Sequence, residues 1–570
     1  KTNPITALIN DELKSVNIYQ MFVKEYLSIE SPFRGLLVYH GLGTGKTATS
    51  VITSEGLSKN MKITTLLPAS LETEYIKEVK SWGNKLFKVS ENNWIFYPLK
   101  ELNDNKVLRE RIRDQYEIND IKKIVNKIFN ETKNRLFKKL DNKSLDFESD
   151  KKKIIRTLDK LKGLYLPVED LTKESREIYT ITGKSVGGKY DGEVNIISNE
   201  MKEYIESEIN NLIIMKYKFI HYNGFPNVHK VDFKDLEGLK KPEKEGKLTS
   251  NQQIVEDLKK KYLYNLENHQ IYSPFRNEVI IIDEVHNFVR EIINDSPQAN
   301  IFYNWIIEAE DVKLIFLSAT PIINKPSEIA VLFNMLRGTL NIFNFTVITD
   351  KEEDDIQKEL RDKFYTESSS IEQLHVKKQK GKMVISFIKN KSNFDSVMID
   401  GVIKTVKHND KSLKEFFTEI FEGLYDVFDS NKISPSKEQI DELPSFNELK
   451  LGKPKIFDDE TGIIFNRKQR LFDIYDNDNI LDVSNNENFI EYFFDDMFNI
   501  PQNKQVLLRR MLMGLTSYYP IDRSSIINMP SIVEPKTLPL YEDYTIVKKT
   551  SIVPCYMSST QGSNYEQGYS

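Results

Sequence analysis

The chain has 570 residues, 39% hydrophobic and 29% charged, with a formal net charge of −5. That balance is ordinary for a globular protein of roughly three or four domain-sized units; it excludes binding of a polyanion by bulk charge, so any nucleic-acid site must be a local patch. A single cysteine, Cys555, excludes a disulfide framework or a cysteine-based zinc site and suits a reducing compartment, and no apolar run approaches the ~20 residues of a membrane span.

The start, K-T-N-P-I-T-A-L-I-N, lacks both an initiator methionine and the apolar region of a signal peptide, which reads as an excerpt. Asp11 to Leu27 has helical spacing, with Leu13, Val16, Tyr19, Val23 and Leu27 near one face. Gln20 lies on the flank of that helix. A primary amide can pair with the N6 and N7 edge of adenine, so Gln20 is a candidate to select ATP, against the alternative of a solvated helix residue.

Arg34 to Thr47 reads R-G-L-L-V-Y-H-G-L-G-T-G-K-T. Leu36 to Tyr39 is short and apolar enough for a buried parallel strand, and Ala48 to Gly56 reads as a helix. Strand, glycine loop and helix together are the context of a phosphate-binding loop. Gly41, Leu42, Gly43, Thr44 and Gly45 would turn backbone N–H groups toward phosphate, and the helix N-terminus adds partial positive charge. Lys46 would reach the β- and γ-phosphates and the Thr47 hydroxyl would ligate Mg²⁺. The strict pattern opens on glycine, and this chain has His40 there. The alternative is a glycine-rich turn containing a chance G-K-T.

Met61 to Leu67 reads as the next buried strand, followed by Pro68-Ala69-Ser70 and a helix from Leu71 to Trp82, with Ser70 as its N-cap. The strand end and capped helix start marked by Pro68 and Ser70 would present hydroxyl and backbone donors to a nucleic-acid phosphate, or Ser70 is a plain cap. From Asn84 to Phe275 the pattern is long and interrupted, and reads as an insertion in the first α/β unit, with Asn211 to Ile220 a core strand at most. Basic runs at Lys138 and Lys151 are solvated helix faces or nucleic-acid contacts. Thr182 to Gly192 contains G-K-S, but no buried strand precedes it, so it is rejected as a second phosphate loop.

Glu278 to Arg290 is E-V-I-I-I-D-E-V-H-N-F-V-R. Val279 to Ile282 is a buried strand ending in Asp283 and Glu284. A carboxylate at such a strand end, Asp283, suits Mg²⁺; the next, Glu284, could take a proton from the attacking water. Lys313 to Leu317 is a further strand, ending in Ser318-Ala319-Thr320. Their hydroxyls could bond groups around the γ-phosphate, or the segment is an ordinary strand-to-turn junction. Beyond Gly338 the character shifts to a mixed, mostly helical module. Asp350 to Glu359 reads as helix, Lys382 to Ile388 and Val397 to Val406 as strands, Leu413 to Phe428 as a strongly apolar helix face, and Asn488 to Ile500 as helix.

Four segments, Gln20, H-G-L-G-T-G-K-T, D-E-V-H at Asp283 to His286, and S-A-T at Ser318 to Thr320, stand in one order that resembles the first motor lobe of superfamily 2 helicases and translocases. The longer strings I-I-D-E-V-H-N-F and L-S-A-T-P-I-I-N-K-P-S-E-I resemble the ATPases of large cytoplasmic DNA viruses, such as poxvirus nucleoside triphosphate phosphohydrolase I and the early transcription factor ATPase subunit. The resemblance implies a RecA-like lobe over about 1–340 with an insertion near 84–275, the mixed module over 341–505, and the start of a second lobe over 506–570. It implies ATP and Mg²⁺ as cofactors, and a coupling role for His286 toward Ser318 and Thr320. It further implies nucleic acid as partner (DNA before RNA), RNA polymerase or transcription factors as further partners, no membrane, and a virion or host-cytoplasm location. Two rival readings are an ATP-binding transcription scaffold with little turnover, and a duplex translocase that does not unwind. The family's Q-x-x-G-R-x-x-R stretch, which supplies arginine fingers, does not occur in these residues. The expectation is that the sequence continues or the motor is degenerate, and that residues 1–570 alone hydrolyse ATP slowly.

Overall fold

The structure is a computed structural model that describes residues 17–31, 33–41, 43–116, 120–140, 147–168, 177–180, 194–222, 250–269, 273–364, 371–379, 381–389, 394–399, 402–407, 413–438, 465–476, 479–482 and 484–519. The described residues belong to one compact unit that ends at Tyr519; residues 520–570 lie outside the described residues, as do the start of the first expected helix, Leu42, the G-K-S turn and Cys555.

Six parallel strands make the main sheet: β1 (Gly35–His40), β2 (Lys62–Leu67), β3 (Phe219–His221), β4 (Glu278–Ile282), β5 (Lys313–Leu317) and β6 (Thr516–Tyr519), in the order β6-β1-β5-β4-β2-β3. The reason is apolar content on both faces. Val279, Ile280, Ile281 and Ile282 are fully buried, as strands covered on both sides must be, and each such side chain stabilises the fold by about 1.5–3 kcal/mol. Helix α1 (Ile18–Tyr26) packs on α2 (Lys46–Leu57), which follows β1. Helix α3 (Val285–Ile293) follows β4, and α4 (Glu328–Arg337) follows β5 and ends at Gly338, φ 72°.

Three expectations change. The insertion is interrupted, because Phe219–His221 returns to the main sheet beside β2; residues 199–217, whose second half reads as strand from apolarity, form a helix with Ile205, Ile209 and Ile213 buried at helical spacing. Before that return, Gly163–Pro167, Trp94–Pro98, Ile178–Thr180 and Val194–Ile196 form a four-stranded sheet in that order, and its core is continuous with that of β1 and β2. The region 341–505 is built on strands more than helices: Ile371–Gln379, Lys382–Lys389, Leu340–Val347 and Ile433–Ser434 pair in that order, with Phe465–Gln469 also on Leu340–Val347. Its core is aromatic, with Phe345 edge-on to Phe387 at 5.6 Å and to Phe421 at 5.5 Å. The third change concerns 506, which is no boundary. Helix α5 (Gln502–Leu512) turns at Gly514, φ 73°, and delivers β6 alongside β1 in the first sheet. Thr516, Tyr518 and Tyr519 suit an edge strand, and Met511 and Leu515 join the core of β5.

Candidate nucleotide site

The site lies at the carboxyl ends of β1, β5 and β4, neighbours in the sheet, where open parallel sheets bind ligands. The loop after β1 is shaped by Gly43 (φ 75°) and Gly45 (φ 77°), a conformation that favours glycine. A side chain at Gly45 would also strike the Gln20 amide, 2.8 Å from where its Cβ would stand. Lys46 opens α2, so the helix N-terminus faces the loop. Lys46 Nζ donates to Gly41 O at 3.2 Å, and the Thr44 hydroxyl donates to the same oxygen at 2.8 Å. Burial pulls the Lys46 ammonium below its ordinary value, and Glu284 and Asp283 partly restore it.

Gln20 is buried, so it is not a solvated helix residue. Its Oε1 accepts from Asn17 N at 2.9 Å and its Nε2 donates to Gly45 O at 3.2 Å. Each amide atom retains one further bonding position.

Asp283 directly follows β4, after the buried run Val279 to Ile282, and is 7% exposed. Its Oδ1 accepts from Glu284 N at 3.0 Å. Burial, with Glu284 adding, pushes the Asp283 carboxyl up to about 6, while the Glu284 N–H and Lys46 pull it down. A carboxylate in that position is relieved by a nearby cation. Glu284 adopts φ 49°, ψ 51° and caps α3, a left-handed conformation that is costly outside glycine. His286 Nδ1 lies 3.0 Å from Ser318 Oγ and 3.3 Å from Glu284 Oε2, and Ser318 Oγ accepts from Thr320 N at 3.0 Å. Burial lowers the His286 pKa against the pull of Glu284, so the ring is neutral at neutral pH and one tautomer donates from Nδ1.

The structure thus brings Gln20 of α1 against the loop that carries Gly41, Gly43, Thr44 and Gly45 and leads into Lys46 and Thr47 of α2, and the His286–Ser318 contact joins Asp283, Glu284 and His286 after β4 to Ser318, Ala319 and Thr320 after β5. Pro68 and Ser70 follow the end of β2, the strand beside β4, and make no hydrogen bond to the loop or the acidic pair among those described. Ser70 is exposed and is not the N-cap of the helix Glu72–Trp82; a 3-10 turn, Ala69–Leu71, intervenes and Leu71 takes the cap position. Two residues were not singled out in the sequence. Tyr222 donates to Asp283 O at 2.9 Å and to Glu284 O at 3.1 Å, and buried Glu328 accepts from Ile323 N, Asn324 N and Lys325 N, holding the loop after Thr320. Tyr222 follows a three-residue strand with no motif around it, and Glu328 has no chemical motif of its own in the sequence.

The fold and site define the class as a mixed α/β protein on a parallel sheet, with a glycine loop leaving a central strand and an acidic pair two strands away. A stretch of 64 residues is 39% identical to R563 of Acanthamoeba polyphaga mimivirus, which carries the name of an ATP-dependent RNA helicase; it covers 11% of this chain and 11% of that protein. Another of 65 residues is 40% identical to the termination factor NPH-I homologue of African swine fever virus, covering 11% and 9%. A third, of 66 residues, is 38% identical to mimivirus R350, also named for an ATP-dependent RNA helicase, covering 10% and 8%. The chain resembles the viral superfamily 2 helicases and NPH-I. The match spans about a tenth of each relative's length. No family model matches, and no solved structure matches. Among the described residues no helix is long and apolar enough to cross a membrane.

Proposed function

We propose that the chain is a nucleic-acid-dependent ATPase of the superfamily 2, D-E-V-H type, acting as a translocase or helicase in viral transcription. The observation that supports this best is the convergence, on three neighbouring strand ends, of the Lys46 loop, the Asp283–Glu284 pair and the His286–Ser318 bridge. The donor set fits Mg·ATP: left-handed Gly43 and Gly45 shape the loop, the space beside Gly43 is open, and the buried Asp283 suits a divalent cation. Thr47 and Asp283 would hold Mg²⁺, which supplies charge neutralisation at the phosphates. Lys46 balances further negative charge, and Glu284 orients the attacking water and accepts its proton. Gln20 presents its remaining amide positions to the base. His286, bonded to Ser318, carries a change at Glu284 to the end of β5 and its following loop. Pro68 and Ser70 are the proposed contacts to a nucleic-acid backbone, with RNA polymerase as the associated machine and the virion and host cytoplasm as the site of action. The names of the viral relatives support the helicase-type reading at the level of the family.

The test is ATP turnover by the full-length protein without nucleic acid, with DNA and with RNA. The expected result is stimulation by DNA. Bound ATP with no turnover under any condition would favour the scaffold reading, and stimulation without strand displacement would favour the duplex translocase.

A further inference from the structure

We propose that His40 is a positioning residue: through Ser517 it ties the phosphate loop to β6, so that the loop's conformation depends on that strand being in place. His40 is the last residue of β1, fully buried, and its Nε2 lies 2.9 Å from Ser517 Oγ on β6. Burial, with Lys46 adding, pushes its pKa down to about 4, so the imidazole is neutral and bonds the hydroxyl as donor or acceptor. The strict loop pattern has glycine at this position. Here the backbone is regular strand, outside the left-handed region, so glycine's freedom is not used, and glycine could not make the link.

A second connection runs between the same two elements. Tyr19 stacks on Tyr519 with centroids 4.3 Å apart and planes at 26°, while its hydroxyl donates to Thr44 O, inside the loop, at 2.7 Å. Tyr19 also meets the His40 ring edge-on at 5.2 Å. The backbone adds a third, longer tie, from Gly41 N to Tyr519 O at 3.4 Å. Two bonds from one four-residue strand therefore reach Gly41 or His40 just before it, and a stack reaches the loop through Tyr19. This deepens the reading of the loop as a nucleotide site and rests on it for its meaning, but not for its test.

Hydrogen–deuterium exchange on the full-length protein tests the coupling directly. Removing either partner leaves the other buried and unpaired, so Ser517→Ala and His40→Ala should speed exchange of the Gly41 and Thr49 amides, which bond Tyr519 O and Gly45 O, about fivefold. Exchange in Val279 to Ile282 should stay unchanged. His40→Gln, whose Nε2 lies the same number of bonds from Cβ, should restore the slow rate. Unchanged loop exchange in both alanine variants, or equal acceleration throughout the sheet, would overturn the proposal. A Mg·ATP analogue added in parallel should slow loop exchange in the wild type. If it does not, while the alanine variants still loosen the loop, the nucleotide reading fails and the coupling stands.

Discussion

Gln20 concentrates two jobs in one amide. It braces the loop at Gly45 O and Asn17 N, and each amide atom keeps one bonding position that adenine's edge could use. Gln20→Ala should therefore weaken ATP binding about tenfold and UTP binding less, because the brace is common to both and base contact is not. Fluorescence titration with the two nucleotides checks this, and an equal loss would leave Gln20 as a brace only. The carboxylate pair shows what the residues themselves announce. Four consecutive β-branched residues, Val279 to Ile282, predict a strand covered on both faces, and Asp283 and Glu284 must then emerge at its end. The left-handed backbone of Glu284 has no such signal, because it is set by the turn into α3.

Elements with a single strong period were legible, and those defined by a distant partner were not. The helix Leu413–Tyr425 shows in sequence as Phe416, Phe417, Ile420, Phe421 and Leu424, all of which are buried. Its Gly423 permits a close approach, since an added Cβ would strike the Phe364 ring. Gly423→Ala should destabilise the protein by about 1–3 kcal/mol, the cost of overpacking, despite alanine's better helix propensity; a thermal melt equal to or above wild type would contradict the contact. The edge strand β6 is the converse case. Nothing in Thr516–Tyr519 says which sheet it joins, so the resemblance placed it in a second lobe, whereas pairing with Leu37 to His40 places it in the first. On the helix 199–217, Glu208 accepts from Tyr165 N of the four-stranded sheet at 3.0 Å, and burial pushes its carboxyl up to about 8 from an ordinary 4.5. The fold therefore favours protonated Glu208. Its contribution to stability is complete below the unfolded value and is lost as pH rises toward about 8. Urea midpoints across that range should fall with pH in the wild type, and Glu208→Gln, neutral throughout, should flatten that part of the slope. An unchanged slope would show that Glu208 does not titrate there.

At the scale of the molecule, one parallel sheet gathers segments from residue 35 to residue 519. The long stretches between its strands pack onto it: the four-stranded sheet shares a core with β1 and β2, and Ile342 and Ile388 of the antiparallel sheet share one with Leu314 and Phe316. Local patterns exposed the strands that bear the chemistry, because a buried strand and a glycine loop are short-range features. They could not show the order β6-β1-β5-β4-β2-β3, which depends on crossovers of up to about two hundred residues. We propose that ATP is cleaved at this sheet's carboxyl edge, with Lys46 holding it and Glu284 activating water. Single-turnover hydrolysis of Mg·ATP by the full-length protein, with bound nucleotide measured in the same samples, tests that claim most directly. Lys46→Ala should lose binding and hydrolysis together. Glu284→Gln should bind ATP as the wild type does and cleave it about 10²–10⁴-fold more slowly. Near-wild-type cleavage by Glu284→Gln, or full nucleotide binding by Lys46→Ala, would contradict it.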